Sequence, residues 1–500
     1  MFSLNVGKFK FPPFQHQKTG IVAMVTHPYF ALFDEMGVGK SYQVINAACI
    51  LYDAGIIDTV IIACPAQVKS VWLDPELGEI QKYVWVKSSV HHFKGPLITL
   101  DNHSLNWVIG SYELIRKEKH GDKLIKNIKG RKVMLVMDES IFLKNPKAAQ
   151  TKQMYEMSLW CDRKYVLNGT PTGGNLLDLY CQFKMLNPML LQCETYYQFR
   201  AKYAVMGGFH GKQVVSFKNE EEVTRLTAPY VLRRLKEDCL DLPKKLYTFI
   251  EVPLSKQNWT HYKSMRDNLV VWLESSACMV QHAPVKALRL GQITSGFLGG
   301  VADTDDESEF QLGFGFDLPI GEKRVEEIGR EKLDLIMGWL EDKFEQNKNF
   351  RTLIWTRFRP ELDRLESEIR EHKWLRNVPV YSIRGGQSKS SRTTAKQQGE
   401  VGTGPTIILG QPHAGGFGLN LTSIANVVYL SQDYSLLARL QSEDRCHRPG
   451  QTKNVTYIDT IATGPEGQKT IDHAIIKALR KNQEMARWTS EQWRAAILEE

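Results

Sequence analysis

The sequence predicts an α/β protein with parallel sheets, divided into more than one domain, on three observations. Apolar runs of strand length alternate with helix-compatible stretches from Tyr29 as far as Leu167, the pattern of strands joined by crossover helices. A glycine-rich turn, Phe33 to Ser41, separates the first of those runs from the helical stretch Tyr42 to Leu51. A second alternating block opens near Lys332, after the pattern has faded. At 500 residues the chain is also too long for one core.

Taken in order, Pro12-Pro13 leads into a helix-like segment carrying Gln17 and Gly20 just ahead of the turn. A glutamine amide can donate to adenine N7 and accept from its N6 amine, and its placement recommends Gln17 for that contact. The turn reads as a phosphate-binding loop. Across Met36, Gly37, Val38 and Gly39 the backbone can curl so that successive N–H groups point at one anion, and the helix beginning near Lys40 adds its positive end. Lys40 would reach the β- and γ-phosphates of ATP, and Ser41 would ligate Mg²⁺. Asp34 stands where the strict motif has its first glycine.

Strands are expected at Thr59 to Ala63, Leu105 to Ile109, Val133 to Met137 and Lys164 to Leu167. In parallel sheets the ligand lies beyond the carboxyl ends of the strands, so Asp138 and Glu139, directly after Val133 to Met137, would be delivered beside the loop. Asp138 would hold Mg²⁺, and Glu139 would orient and deprotonate the attacking water. From Arg233-Arg234 onward Trp259 to Leu298 reads as a helical connector, followed by an acidic run, Asp303 to Glu309, and a Gly- and Phe-rich stretch to Leu318 that is expected to be an exposed loop or small hairpin. The second block then gives a helix, Lys332 to Phe344, and strands at Thr352 to Trp355, Val380 to Ser382, Thr406 to Leu409, Asn426 to Leu430 and Val455 to Ile461. Between them Gly385 to Arg392 is polar and expected to be mobile, and a helical region closes the chain from Lys469. Gln441, Arg445 and Arg448, at spacings of four and three, predict one helix face with two guanidiniums and an amide. Such a face suits a γ-phosphate, where an arginine finger supplies roughly 10³ to 10⁵ in rate.

Composition excludes little and fits a water-soluble enzyme: 42% of residues are hydrophobic and 24% charged. No stretch approaches the roughly 18 apolar residues of a membrane span, and Met1 to Lys10 lacks the apolar core of a secretory signal. Eight cysteines without a C-x-x-C pair argue against a zinc ribbon or disulfide framework and for a reducing cytoplasmic compartment. The net charge of +8 permits a polyanionic partner.

With these motifs in order, the chain resembles the Swi/Snf family of superfamily-two helicase-like DNA translocases. The resemblance runs through Gln17 with Gly20, Asp34 to Ser41, Ala63-Cys64-Pro65, Ile109 to Glu113, Asp138 to Asn145, Leu167 to Pro171, Leu232-Arg233-Arg234, Leu353 to Leu365, Gly415 to Thr422 and Gln441 to Gln451. The family also carries Asp in place of the first glycine. It implies two RecA-like lobes with ATP clamped between them and double-stranded DNA lying across both. The expected boundaries are a first lobe at 1–232 with a helical protrusion near 190–230, a connector with insertion at 233–330, a second lobe at 331–480 and a C-terminal helix at 481–500. Catalytic duty would fall to Glu139, Asp138, Gln441, Arg445 and Arg448. Contacts to DNA phosphates are expected from Ser111, Lys144, Thr170, Arg357, Gly418 and Thr422, without sequence preference.

Two departures stand out. The family pattern Asp-Glu-Ala-His is Asp138-Glu139-Ser140-Ile141 here, with a serine as in the fork-remodelling, annealing branch, and the Trp-Asn-Pro before the last box is Tyr434-Ser435-Leu436. A bare motor of this length resembles bacterial and phage members, and is expected to act as a monomer on duplex or forked DNA. The rival expectations are a strand-separating or RNA helicase on the same engine, and an ATP-switched clamp that hydrolyses slowly.

Overall fold

The computed structural model describes residues 6–75, 78–173, 175–207, 213–268, 270–272, 277–279, 283–299, 325–413 and 419–498. The acidic and Gly/Phe-rich stretch from Asp303 to Leu318, and Gly418 with the preceding glycine pair, lie outside them. The chain divides into two compact units, Met1–Asp241 with Lys481–Glu500, and Leu242–Arg480.

In the first unit the strands are β1 (Tyr29–Leu32), β2 (Thr59–Cys64), β3 (Ser88–His92), β4 (Leu105–Ser111), β5 (Val133–Asp138) and β6 (Arg163–Leu167), then a small antiparallel hairpin of β7 (Ala204–Gly207) and β8 (Gln213–Phe217), and finally β9 (Val231–Leu232). Among the described residues all but the hairpin join one parallel sheet in the order β3-β4-β2-β5-β6-β1-β9. Its middle is dictated by composition: every side chain from Val133 to Met137 is fully buried, as an unbroken apolar run covered on both faces must be. The register sets β1 between two neighbours, with Ala31 opposite both Val166 and Val231. The phosphate loop, the acid pair and the loops after β4 and β6 therefore all leave one carboxyl edge.

The second unit contributes β10 (Lys245–Pro253), two short pairs, β11 (Val270–Trp272) with β12 (Ala277–Met279) and β13 (Phe297–Gly299) with β14 (Val325–Glu327), then β15 (Arg351–Trp355), β16 (Val380–Ile383), β17 (Thr406–Gly410), β18 (Asn426–Tyr429) and β19 (Val455–Thr463). Its parallel sheet runs β10-β19-β18-β15-β17-β16. Alternation sorts its residues: Ile354, Leu409, Val428 and Ile458 pack on one face, and Leu353, Trp355, Ile408, Val427 and Tyr457 on the other. The helices Lys256–Asn268 and Ala283–Thr294 pack through Trp259, Tyr262, Met265, Leu290 and Ile293 against Ala462 of β19.

Three local expectations change. The edge strand β10 falls inside the stretch read as connector, where no alternation marks a strand: Leu246, Tyr247 and Phe249 are all exposed. The polar stretch expected to be mobile holds a helix start, for Ser388 Oγ accepts the Ser391 N–H at 3.2 Å and caps the helix Lys389–Val401. The helix carrying Gln441 is Leu436–Glu443, so Arg445 and Arg448 lie beyond its end and not on its face.

Candidate nucleotide site

At the end of β1 the chain enters the loop with Gly37 at φ 81° and Gly39 at φ 92°, conformations that side chains with a Cβ resist. A Cβ on Gly39 would also lie 2.4 Å from Gln17 Nε2, so glycine answers both a torsion and a close approach there. Gly39 is the N-cap of the helix Lys40–Asp53, whose first N–H groups have no partner within the helix. Lys40 Nζ donates to the carbonyl oxygens of Asp34 at 2.7 Å and Glu35 at 3.3 Å. Burial pulls its pKa down, against the carboxylates of Glu139, Asp34 and Asp138. Ser41 is half-buried in the first helical turn, and Val38 is buried while Met36 packs against Gly169.

Gln17 is buried, its Oε1 accepting the Phe14 N–H at 3.0 Å, and His16 Nε2 sits 3.1 Å from the Val38 carbonyl oxygen. The segment before the loop is thus fastened to it.

A second set of fastenings comes from the chain just past β9. Asp34 is fully buried, and its carboxylate accepts Arg234 Nε at 2.8 Å, a second bond from Arg234 Nη2, and Gln43 Nε2 at 3.0 Å. Arg234 Nη2 also donates to Gln43 Oε1 at 2.8 Å, and Nη1 to the His16 carbonyl oxygen. Arg233 Nη1 bridges the carbonyls of Phe33 and, at 2.8 Å, Gly169. Glu35 accepts the Lys236 N–H at 2.7 Å. Sequence reasoning marks Arg233-Arg234 as a motif but assigns it no task. The signal was the aspartate at a glycine's place, since a buried carboxylate requires a cationic partner.

Asp138 closes β5 with both oxygens engaged, Oδ2 by Trp72 Nε1 at 2.9 Å and Oδ1 by the Glu139 N–H at 3.0 Å, while Tyr112 Oη donates to its carbonyl oxygen at 2.8 Å. Trp72 lies outside every motif stretch, and Tyr112, within Ile109 to Glu113, is assigned no task by sequence reasoning. Glu139 adopts φ 52°, a left-handed conformation that costs a non-glycine residue free energy and is concentrated at functional sites. It is buried, and its Oε2 has no hydrogen-bond partner among the described residues. Burial first, then the charge of Asp138, pushes its carboxyl up to about 8, with Lys40 opposing. Asp138 is raised for the same first reason, with Trp72 and Lys40 opposing.

Of the residues expected to touch nucleic acid, Ser111 and Thr170 are each 4% exposed. The Ser111 hydroxyl accepts the Leu114 N–H at 3.3 Å as a helix cap, and the Thr170 N–H donates to Asn168 Oδ1 at 3.0 Å. Both placements suit holding the loop backbone in position. Lys144 lies 3.7 Å from the Asp178 carboxylate with its side chain 40% exposed.

In the second unit Arg445 is buried, its Nε without a partner among the described residues, and burial followed by Arg448 lowers its pKa to about 10. Gln441 Nε2 is likewise buried and unpartnered. Arg448 Nη1 donates to the Leu419 carbonyl at 2.9 Å, and Thr422 is half-buried beside Gly450. The Arg357 guanidinium stands 5.1 Å from the Phe358 ring centroid, and the Arg357 backbone N–H donates to Ser431 Oγ at 2.7 Å.

An SNF2-related domain matches residues 16–293, and a helicase conserved C-terminal domain matches residues 331–450. The chain is 25% identical over 467 residues to an uncharacterized ATP-dependent helicase of Mycoplasma genitalium, covering 92% of this chain and 40% of that protein. It is 23% identical to the lymphoid-specific helicase of Homo sapiens, over 89% of this chain and 59% of that one. It therefore spans less than two thirds of these curated relatives. The Sulfolobus solfataricus SWI2/SNF2 ATPase core in complex with dsDNA aligns at 22% identity with a TM-score of 0.43, covering 93% of this chain and 91% of that one. With one family model matched over more than half its length and the helicase C-terminal domain following it, the chain belongs to the SNF2-related, Swi/Snf-type helicase-like ATPases.

Proposed function

We propose that this ATPase is a motor that tracks along double-stranded DNA without separating its strands. The observation that carries the reading is the gathering, on one carboxyl edge of the first sheet, of the phosphate loop after β1, the acid pair after β5 and the hydroxyl-bearing loops after β4 and β6. A ligand on those outer loops and a nucleotide on the inner ones would share the same backbone.

The residues fit ATP with Mg²⁺: a glycine cradle, a helix N-terminus, a lysine amine held at the loop and an orphaned carboxylate oxygen on Glu139. Mg²⁺ takes one or two carboxylates plus phosphates and water, and Asp138 with Ser41 is a donor set of that size. When bound it neutralises charge on the β- and γ-phosphates. Lys40 exchanges its carbonyl partners for phosphate oxygens, Gln17 faces the base, and Glu139 accepts the proton of the attacking water. Gln441, Arg445 and Arg448 are the donors to the transferring phosphoryl group. Lys144, Arg357, Thr422 and Gly418 serve the DNA backbone, with Ser111 and Thr170 shaping its loops. The motor acts as a monomer in a bacterial cytoplasm, whether encoded by host or phage.

One observation favours a second reading. Ile141, buried and apolar, stands where the resembled pattern has histidine, and an ATPase without that group would hydrolyse slowly, as an ATP-switched clamp does. Displacement of a triplex-forming strand decides between them: with ATP the motor strips the third strand and leaves a tailed duplex of several tens of base pairs paired, since each step of unwinding costs roughly 1.4 kcal/mol. A clamp strips neither, and unwinding of the tailed duplex without triplex displacement would establish a helicase.

A further inference from the structure

The buried face behind the acid pair holds a polar chain that runs through Gln182, a residue outside every motif stretch. Ser140, fully buried, donates its hydroxyl to Gln182 Oε1 at 2.6 Å. Gln182, also fully buried in the helix Leu179–Leu186, donates Nε2 to the Pro171 carbonyl at 2.8 Å and the Asp178 carbonyl at 2.9 Å. Asp178 in turn accepts the Gly173 N–H at 2.9 Å and faces Lys144 at 3.7 Å. Both amide hydrogens are thereby engaged, and the amide ties the Ser140 hydroxyl to the Pro171 carbonyl. The neighbouring Ile141, where the resembled pattern has histidine, is buried and apolar, and the polar link from the acid motif toward the loop after β6 runs through Ser140.

We propose that Gln182 is a positioning residue that couples the acid motif Asp138-Glu139-Ser140 to the loop 168–173 and to Lys144, so that a ligand on that loop sets the aim of Glu139. It rests on the DNA-motor reading above. A hydrogen-bonded chain suits this work because it has a sharp geometry: displacing the Pro171 carbonyl pulls the amide, and the amide pulls the Ser140 hydroxyl, one residue from Glu139. A chain of this kind changes how strongly DNA accelerates hydrolysis, and has no part in holding nucleotide.

The test measures ATP turnover with and without linear duplex DNA, alongside binding of a fluorescent ATP analogue. Gln182→Leu and Ser140→Ala are expected to lower the DNA-stimulation ratio by roughly fivefold or more, without a matching loss of nucleotide affinity. Ser140→Thr, which keeps the hydroxyl, retains the ratio. The double variant falls no further than the worse single one, since both cut the same chain. Should Gln182→Leu fail to fold, the removal of one oxygen in Ser140→Ala still decides. A wild type that duplex DNA does not stimulate overturns the motor reading and the coupling with it. A stimulated wild type whose Ser140→Ala and Gln182→Leu forms keep its ratio, or variants with additive losses, overturn the coupling alone.

Discussion

Asp34→Gly gives the phosphate loop the residue its strict motif calls for, and it is expected to destabilise the first unit. The Asp34 carboxylate has no exposure, and the Arg234 side chain it pairs with is 13% exposed. Removing one member of a buried ion pair costs about 3–5 kcal/mol, because the other charge stays behind uncompensated. The low end applies, since Arg234 keeps Gln43 Oε1 at 2.8 Å and the His16 carbonyl as acceptors. About 3 kcal/mol is roughly a hundredfold in the unfolding equilibrium. With a urea dependence of about 3 kcal/mol per molar, that moves the midpoint down by roughly 1 M. Urea unfolding followed by tryptophan fluorescence reads it, and Asp34→Ala with Arg234→Met supplies the control. Deleting both charges should recover a large part of what Asp34→Ala alone loses. An unchanged midpoint in Asp34→Gly, or a double variant as unstable as the sum of its parts, would refute the argument that Asp34 braces the loop against Arg234.

Lys40→Ala should lose nucleotide binding, whereas Glu139→Gln keeps it and loses turnover by roughly 10²–10⁴ as a missing general base does; a fluorescent analogue and phosphate release separate the two. Arg448→Ala should resemble Glu139→Gln, and wild-type turnover would remove it from the phosphoryl-transfer step. Because burial and Asp138 raise the Glu139 carboxyl to about 8, kcat/KM should climb with pH and level off above that value; a profile flat from pH 6 to 9, in about unit steps, would contradict it. The same shift has a stability sign: between 4.5 and about 8 the folded state holds a proton that the unfolded chain has released, so Glu139 makes the first unit less stable as pH rises through that window. DNA affinity should fall by roughly 10³ between about 50 and 200 mM salt if some six phosphates are neutralised, and be indifferent to sequence; a shallow salt dependence in a filter-binding titration would argue against backbone tracking.

The central strands were legible because they are buried on both faces, so an apolar run such as Val133 to Met137 leaves little alternative. The phosphate loop and acid pair were legible because each is local: Gly37, Gly39 and Lys40 lie within a few residues of each other, and Asp138 and Glu139 directly follow the apolar run Val133 to Met137. What escaped is long-range or one-sided. Among the described residues β10 pairs only with β19, and it leaves Leu246, Tyr247 and Phe249 exposed, so it shows no period of two. Residue spacing put Arg445 and Arg448 on a helix face, but the helix ends at Glu443, whose carboxylate is gripped by Tyr247 and Arg439, and the Arg445 carbonyl accepts the Leu421 N–H at 2.9 Å instead. Trp72, Tyr112, Gln182 and Arg234 act on Asp138, Ser140 and Asp34, which lie 26 to 200 residues away along the chain.

The strand that flanks β1 on its outer side, β9, and the arginines behind it arrive about two hundred residues after the loop they secure. During synthesis the glycine turn leaves the ribosome early, in a stretch whose buried aspartate has as yet no countercharge, and domains generally fold as units. Until Lys236 has cleared the exit tunnel, the loop is covalently complete and physically unfinished. Nucleotide can reward folding of the first unit only after that point, so a chain arrested ahead of β9 should be recognised by chaperones and proteases as a client and not by ATP as a receptor.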